Sequence, residues 1–211
     1  MTDKSKVNYS LIYLSIAVFI ALFISIKVGM NSDFWFDDVV ARAFSHVPNS
    51  FIPFFIQVTE LGDKKGIGLA ALLMLAWLLI KKRNYVGAAV LALSIGLANE
   101  VYKILKDCFV RPRPNLDFLV DAEGYSYPSG HTLVGIVVYF IIAFLLMENI
   151  SLKMGKVIIV VLAAIVLLLI GASRIILHVH YPSDVIGGYA LGYIWASIWI
   201  FIYKYFRRRF N

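Results

Sequence analysis

Residues 157–184 read VIIVVLAAIVLLLIGASRIILHVHYPSD, and this stretch decides the fold. No charged side chain interrupts it between Val157 and Ser173. Such a run has the length that a membrane-spanning helix requires, about 17–25 apolar residues. Its character then changes abruptly. Ser173, Arg174, His178, His180 and Asp184 follow within a few turns, and Pro182 marks the start of another helix that is apolar again. Polar and ionisable groups beside a span are costly unless they are used, so this junction is where chemistry is expected.

Working outward, the same reading gives spans at 9–29, 66–81, 85–105, 130–148, 157–177 and 184–204. The expectation is an all-α integral membrane bundle of six transmembrane helices forming a single domain over 1–211. The second span is short and borrows length from Lys64 and Lys65, whose stems can snorkel outward. The first resembles a signal peptide in position. Its apolar stretch, Leu11 to Ile26, is long for one and no small-x-small cleavage site follows, so it reads as a retained anchor.

Composition agrees with a membrane class. Hydrophobic residues make up 61% of the chain and charged residues only 16%, against about 45–50% and 25% in soluble domains. A soluble fold could not bury so much apolar surface. The net charge of +7 could suggest a nucleic-acid partner, but the basic residues sit in short clusters between apolar runs, as topology signals do. Nucleic acid is therefore not an expected partner; the bilayer is. Cys108 is the single cysteine, which excludes an intrachain disulfide. No adjacent base activates it, so it reads as an unreactive small residue.

Lys4 and Lys6, Lys81 to Arg83, Lys153 and Lys156, and Lys204 with Arg207 to Arg209 would all share one side. The positive-inside rule makes that side cytoplasmic, with both termini there, in a multi-pass protein of the cell membrane. Most acidic residues, from Asp33 to Asp184, fall in the opposite loops. Segments 30–65, 106–129 and 174–183 then face outward together. In the first, Phe34, Trp35, Phe36, Val39, Val40 and Phe44 mix with acids, which suits an interfacial helix or an ordinary aromatic belt. Pro48 and Pro53 bracket Phe51, Phe54 and Phe55, a candidate for a short segment dipping partway into the membrane.

Three polar segments lie on the outward side. In the first, Lys106 to Pro114, Arg113 offers a planar fork for phosphate oxygens and Lys106 a point charge. Arg111 is the alternative fork, though spacing favours Arg113. In the second, Tyr127 to Thr132, a helix begins near Ser129, where unpaired backbone N–H groups suit a phosphate. Gly130 lets the backbone come close, and His131 can give a proton to a leaving oxygen. In the third, Asp184 in the first turn after Pro182 can reach back to one ring nitrogen of His180 and leave the other free to attack. Arg174 supplies a further fork. His178 is the alternative nucleophile; if the fifth helix continued through it, it would sit one turn past Arg174.

Together the segments resemble the three-part signature of the type 2 phosphatidic acid phosphatase superfamily: K-x6-RP, PSGH and SR-x5-H-x3-D. They fall at Lys106 to Pro114, Pro128 to His131 and Ser173 to Asp184, with every spacing intact. The resemblance implies a lipid phosphatase with an extracytoplasmic active site. His180 would be the nucleophile, Asp184 its orienting partner and His131 the general acid and base. Lys106, Arg113, Ser129, Gly130 and Arg174 would bind phosphate. It implies no metal and no cofactor, and a phosphorylated membrane lipid as substrate. Undecaprenyl diphosphate is the first expectation; phosphatidylglycerophosphate and phosphatidic acid are the alternatives.

Two rival readings remain. A metal-dependent hydrolase could use His131, His178, His180 and Asp184 as ligands, although adding a cation to so basic a site is unattractive. A transporter or lipid-binding protein could use the intramembrane Asn99 and Glu100. Lys103, three residues after Glu100, offers a simpler i,i+3 pair. Gly187, Gly188 and Gly192 could pack a helix within the chain or between chains.

Overall fold

The computed structural model describes residues 9–210 and is all-helical there. Lys4 and Lys6, expected on the cytoplasmic side, lie outside the described residues. The elements in chain order are α1 (Tyr9–Gly29), α2 (Trp35–Ser45), a short 3-10 turn (Asn49–Phe51), α3 (Ile52–Glu60) and α4 (Lys64–Ala76). A π-helical turn (Trp77–Lys82) continues α4 and is followed by α5 (Tyr85–Phe109), α6 (Gly130–Met147), α7 (Lys153–Ile176) and α8 (Pro182–Phe210).

Five helices, α1, α5, α6, α7 and α8, are long and apolar enough to cross a membrane. The expected second span corresponds to α4 and its π-helical extension, which ends at Arg83 in the left-handed conformation with φ 49°. Asn84 then caps α5 by accepting from the Gly87 amide at 2.9 Å and donates to the Tyr203 hydroxyl at 3.1 Å. α8 runs on past the expected boundary, so the basic tail through Arg209 is helical.

α6 is the centre of the bundle, packed against α5, α7 and α8. Leu133, Val137, Val138, Ile141 and Leu145 are buried along it. Helices in a bilayer gain little from hiding apolar side chains, since lipid is equally apolar, so close backbone approach matters more. Gly188 and Gly192 of α8 supply it. A Cβ on Gly188 would meet Thr132 Oγ1 and the Ser129 carbonyl, and one on Gly192 would meet Ile136 and the Leu133 carbonyl. These glycines therefore pack within the chain.

The peripheral helices show the opposite pattern. α7 exposes Val157, Ile158, Val161, Leu162, Ile165 and Leu168. Its buried residues, Ile170, Gly171, Ser173, Arg174 and Ile176, gather in its last turns. Lipid is the solvent that such a surface needs, and α7 is tied down where its polar residues begin. α1 buries only Ala17, Ala21, Ile24 and Val28, one stripe turned inward, and it packs on α8. α2 exposes Trp35 and Val39 while burying Asp37, as an interfacial helix would. α3 begins with Pro53 in its first turn and lies on the site-bearing helix α7.

Candidate active site

The C-terminal ends of α5 and α7, the starts of α4 and α6 and the turn before α8 meet around a cavity of about 390 Å³. Its wall includes Lys106, Arg113, Gly130, His131, Arg174 and His180, together with the carboxylates Asp63, Asp121 and Glu123. Six of the eight predicted site residues therefore share one space. Ser129 and Asp184, both fully buried, stand behind this lining. The cavity continues between spans along Ile67, Ala71, Ile95 and Val134.

Ser129 precedes the first helical residue of α6, as the sequence indicates, and follows a cis Tyr127–Pro128 peptide. The first amides of α6 have no intrahelical acceptor. Gly130 packs closely there: a Cβ would come within 3.1 Å of the Tyr102 ring, which would have to shift to admit it. The Ser129 amide donates to the Asp184 carbonyl at 3.2 Å, which joins the starts of α6 and α8. Ser129 Oγ and Arg174 Nε are buried and have no hydrogen-bond partner. Orphaned buried donors cost about 1–3 kcal/mol each, so two of them at one site call for an acceptor from outside. The other end of Arg174 is held: Nη1 donates to Thr59 Oγ1 of α3 at 2.7 Å.

His180 lies in the turn between α7 and α8, with its amide donating to the Arg174 carbonyl at 3.3 Å. Its Nδ1 is 3.6 Å from Asp184 Oδ2. The same oxygen accepts from Ser126 Oγ at 2.5 Å and from the Tyr181 amide at 2.9 Å. Asp184 thus reaches back across the first turn of its own helix, as a capping carboxylate does. Nδ1 faces this acceptor, which leaves Nε2 as the ring nitrogen without a carboxylate. Burial, with Arg174 and Arg113 adding to it, pushes the His180 imidazole down to about 4, against the raising effect of Asp184. The ring is therefore neutral and nucleophilic at physiological pH.

Of the two candidate arginines, Arg113, which spacing favours, lines the cavity and Arg111 does not. Arg113 donates Nε to the Gly124 carbonyl at 2.9 Å, Nη1 to Val179 at 2.6 Å and Nη2 to Glu123 at 2.7 Å. A guanidinium has five N–H groups, so Arg113 fastens the 120s loop and the residue before His180 and still lines the cavity. Arg111 turns away from the cavity and pairs with Asp184 Oδ1 at 2.6 Å and Asp37 Oδ2 at 3.0 Å.

His178 does not share the cation-walled cavity with His180. α7 ends at Ile176, His178 takes a left-handed φ of 62°, and its Nδ1 lies 3.0 Å from the Asp117 carbonyl. Among the described residues no group of three or more His, Cys, Asp or Glu side chains is arranged to hold a metal ion. Glu100 pairs with Lys103 at 2.7 Å on the exposed surface.

Sequence reading missed Ser126, Ser183, Asp37 and Thr59. Ser126 stands two residues before Pro128 and could have been found by proximity. Asp37 and Thr59 act across 146 and 115 residues of chain, and no local pattern marks them.

A helical membrane bundle with a buried, carboxylate-backed histidine opposite a cluster of cations defines a class, that of membrane phosphatases with this architecture. The family model of the PAP2 superfamily matches residues 87–209, and the chain belongs to that superfamily. Phosphatidylglycerophosphatase B of Bacillus subtilis (strain 168) is 31% identical over 136 residues, which are 64% of this chain and 66% of that protein. The chain thus spans just under two thirds of that relative's length. The crystal structure of a transmembrane PAP2 type phosphatidylglycerolphosphate phosphatase from Bacillus subtilis superposes with TM-score 0.80 at 24% identity, covering 92% of this chain and 97% of that one. Aquifex aeolicus LpxE gives TM-score 0.64 at 24% identity, covering 80% and 96%. These two likenesses are of fold. With the apolar helices, they make the chain a multi-pass membrane protein.

Proposed function

We propose that this protein is a metal-independent membrane lipid phosphatase that works through a phosphohistidine. The observation that carries the reading is the shared cavity. Lys106, Arg113, His131, Arg174 and His180 wall one part, and the rest runs between spans along apolar Ile67, Ala71, Ile95 and Val134. A phosphate on an apolar tail matches both parts.

In the first step His180 Nε2 attacks phosphorus, the N–P bond forms and the P–O bond to the lipid breaks. His131 gives its proton to the departing oxygen. In the second step His131 takes a proton from water, the water oxygen attacks phosphorus, and the N–P bond breaks to release phosphate. Asp184 holds the ring and stabilises its positive charge while the N–P bond exists. Lys106, Arg113, Arg174, Ser129 Oγ and the Gly130 amide hold the equatorial oxygens where charge gathers. The cations already present neutralise the phosphate, so no metal is needed in this scheme.

The membrane arrangement follows. α4 with its π-helical extension serves as the sixth span, the chain is one domain, both termini are cytoplasmic and the site opens outward. Lys81 to Arg83, Lys153 and Lys156, and Arg207 to Arg209 lie at helix ends away from the site-bearing ones, which supports that orientation. As substrate, phosphatidylglycerophosphate takes first place because of the Bacillus subtilis relative. Undecaprenyl diphosphate, the first expectation from sequence alone, stands second.

The deciding experiment is phosphate release by purified protein in detergent from phosphatidylglycerophosphate, undecaprenyl diphosphate and phosphatidic acid, beside His180→Ala. Orthovanadate should inhibit and EDTA should not. Loss of activity on chelation with recovery on zinc would overturn the metal-free scheme.

A further inference from the structure

The signature residues are held from outside the signature. Asp37, in the first turn of α2, is buried although its helix lies at the periphery and exposes Trp35 and Val39. Its Oδ1 accepts from the Ser183 amide at 2.7 Å, one of the amides at the start of α8 that lack an intrahelical partner. Its Oδ2 accepts from Ser183 Oγ at 2.6 Å and from Arg111 Nη2 at 3.0 Å. Arg111 Nη1 in turn donates to Ser183 Oγ at 2.7 Å and to Asp184 Oδ1 at 2.6 Å. The guanidinium is also stacked, with its centre 4.3 Å from the Tyr181 ring centroid and 5.7 Å from that of Phe34.

The chain of contacts therefore runs Asp37, Arg111 with Ser183, Asp184, His180. Asp184 has one oxygen on Arg111 and the other on Ser126, the Tyr181 amide and the His180 side. A carboxylate placed this way can turn only if Arg111 moves, and Arg111 is anchored by Asp37. Removing one partner from a buried charged network leaves the other charge uncompensated, which is where such networks are most sensitive.

We propose that Asp37 is a positioning residue for phosphoryl transfer. It acts through Arg111 and Ser183 to fix the Asp184 carboxylate against His180, so the interfacial helix α2 is part of the catalytic apparatus. Asp37 lies before the residues matched by the family model. The inference rests on the proposed function, because it assigns His180 as the nucleophile.

The test compares wild type, Asp37→Asn, Ser183→Ala, their double variant and Asp38→Asn, an exposed neighbour on the same helix. Each is purified in detergent and assayed on phosphatidylglycerophosphate micelles, with thermal unfolding and inhibition by inorganic phosphate followed in parallel. Asp37→Asn should lower kcat about 10–100-fold, the range known for outer hydrogen-bonding partners that orient metal ligands, whose orienting role is the same in kind. KM and inhibition by phosphate should stay near wild type, since Lys106, Arg174 and Ser129 are untouched. Ser183→Ala should show the same split, the double variant should fall no further than the worse single, and Asp38→Asn should match wild type. A lowered unfolding midpoint with wild-type kcat would make Asp37 merely structural and overturn the proposal. Should Asp37→Asn not fold, a wild-type kcat in Ser183→Ala overturns it equally. A wild-type protein that releases phosphate from none of the lipids overturns the proposed function and this inference together, whereas an unaffected Asp37→Asn overturns this inference alone.

Discussion

The chain falls into two regions that contribute in different ways. From α5 onward it carries the whole three-part signature, and six of the eight predicted site residues, all in this region, line the cavity. The region before α5 carries none of it; it lines part of the cavity with Asp63, Ile67 and Ala71 and holds site-bearing groups by hydrogen bonds at three points. Asp37 holds Ser183 and Arg111, Thr59 holds Arg174, and Ser25 of α1 pairs with the buried Tyr127 hydroxyl at 2.8 Å. The later region supplies groups that would meet phosphate, and the earlier region fixes the angles of those groups. Losses in the later region should therefore appear as failed chemistry, and losses in the earlier one as graded loosening.

The sharpest break in the later region is His180→Ala. Removing a nucleophile or its base typically costs about 10⁴-fold or more, and the variant should fold normally, because no backbone contact is lost. Incubated with labelled lipid, His131→Ala should accumulate a phosphoenzyme and His180→Ala should form none. The reverse pattern would exchange the two roles. The acid limb of kcat/KM tests the same residue. A His180 imidazole near 4 stays neutral until the pH falls through that value, so activity should persist below pH 5 and fall near 4. A limb close to 6.5, the ordinary histidine value, would contradict the buried, arginine-flanked ring.

Next in size are the phosphate donors. Arg174→Gln and Ser129→Ala should each lower kcat by about 10²–10³, the usual loss for one preorganised donor. Folding should be nearly unchanged or improved for Ser129→Ala, whose hydroxyl has no partner without ligand. Gly188→Ala should act on the helix frame of the later region itself. Its Cβ would collide with Thr132 Oγ1 and the Ser129 carbonyl, so α6 and α8 must separate at the site. Overpacking of this kind typically costs about 1–3 kcal/mol, measured as a lower unfolding midpoint together with reduced kcat.

The same division explains what sequence could reveal. Spans were readable because apolar runs are continuous: α7 was expected at 157–177 and occupies Lys153–Ile176. The residues that share the cavity were readable because each segment is short and internally spaced, as in the three residues between His180 and Asp184. That Arg113 lines the cavity accords with the spacing, but the duty of Arg111 as a partner of Asp184 and Asp37 was not readable. Both arginines precede proline, and only the position of Asp37, 74 residues upstream of Arg111, decides which guanidinium turns inward. α4 with its π-helical turn occupies the stretch expected as a span at 66–81, yet it is not among the five helices long and apolar enough to cross a membrane, because its apolar part is short and its end is completed by that turn.

The smallest effect, and the finest test of the comparison, is at Thr59. Its hydroxyl accepts from Arg174 Nη1, so it sets the direction of the fork without touching the cavity's reactive groups. Thr59→Val keeps the shape and removes the acceptor. The guanidinium then has a second unpaired buried nitrogen in the free enzyme, but bound phosphate can recruit it. Binding should therefore change little, while kcat falls about tenfold or less, because a single hydrogen bond to a charged group contributes about 1.5–3 kcal/mol at most and part of it is recovered on phosphate. A loss as large as that of Arg174→Gln would mean that Thr59 itself reaches the substrate, and the boundary between the two regions would have to move to include α3.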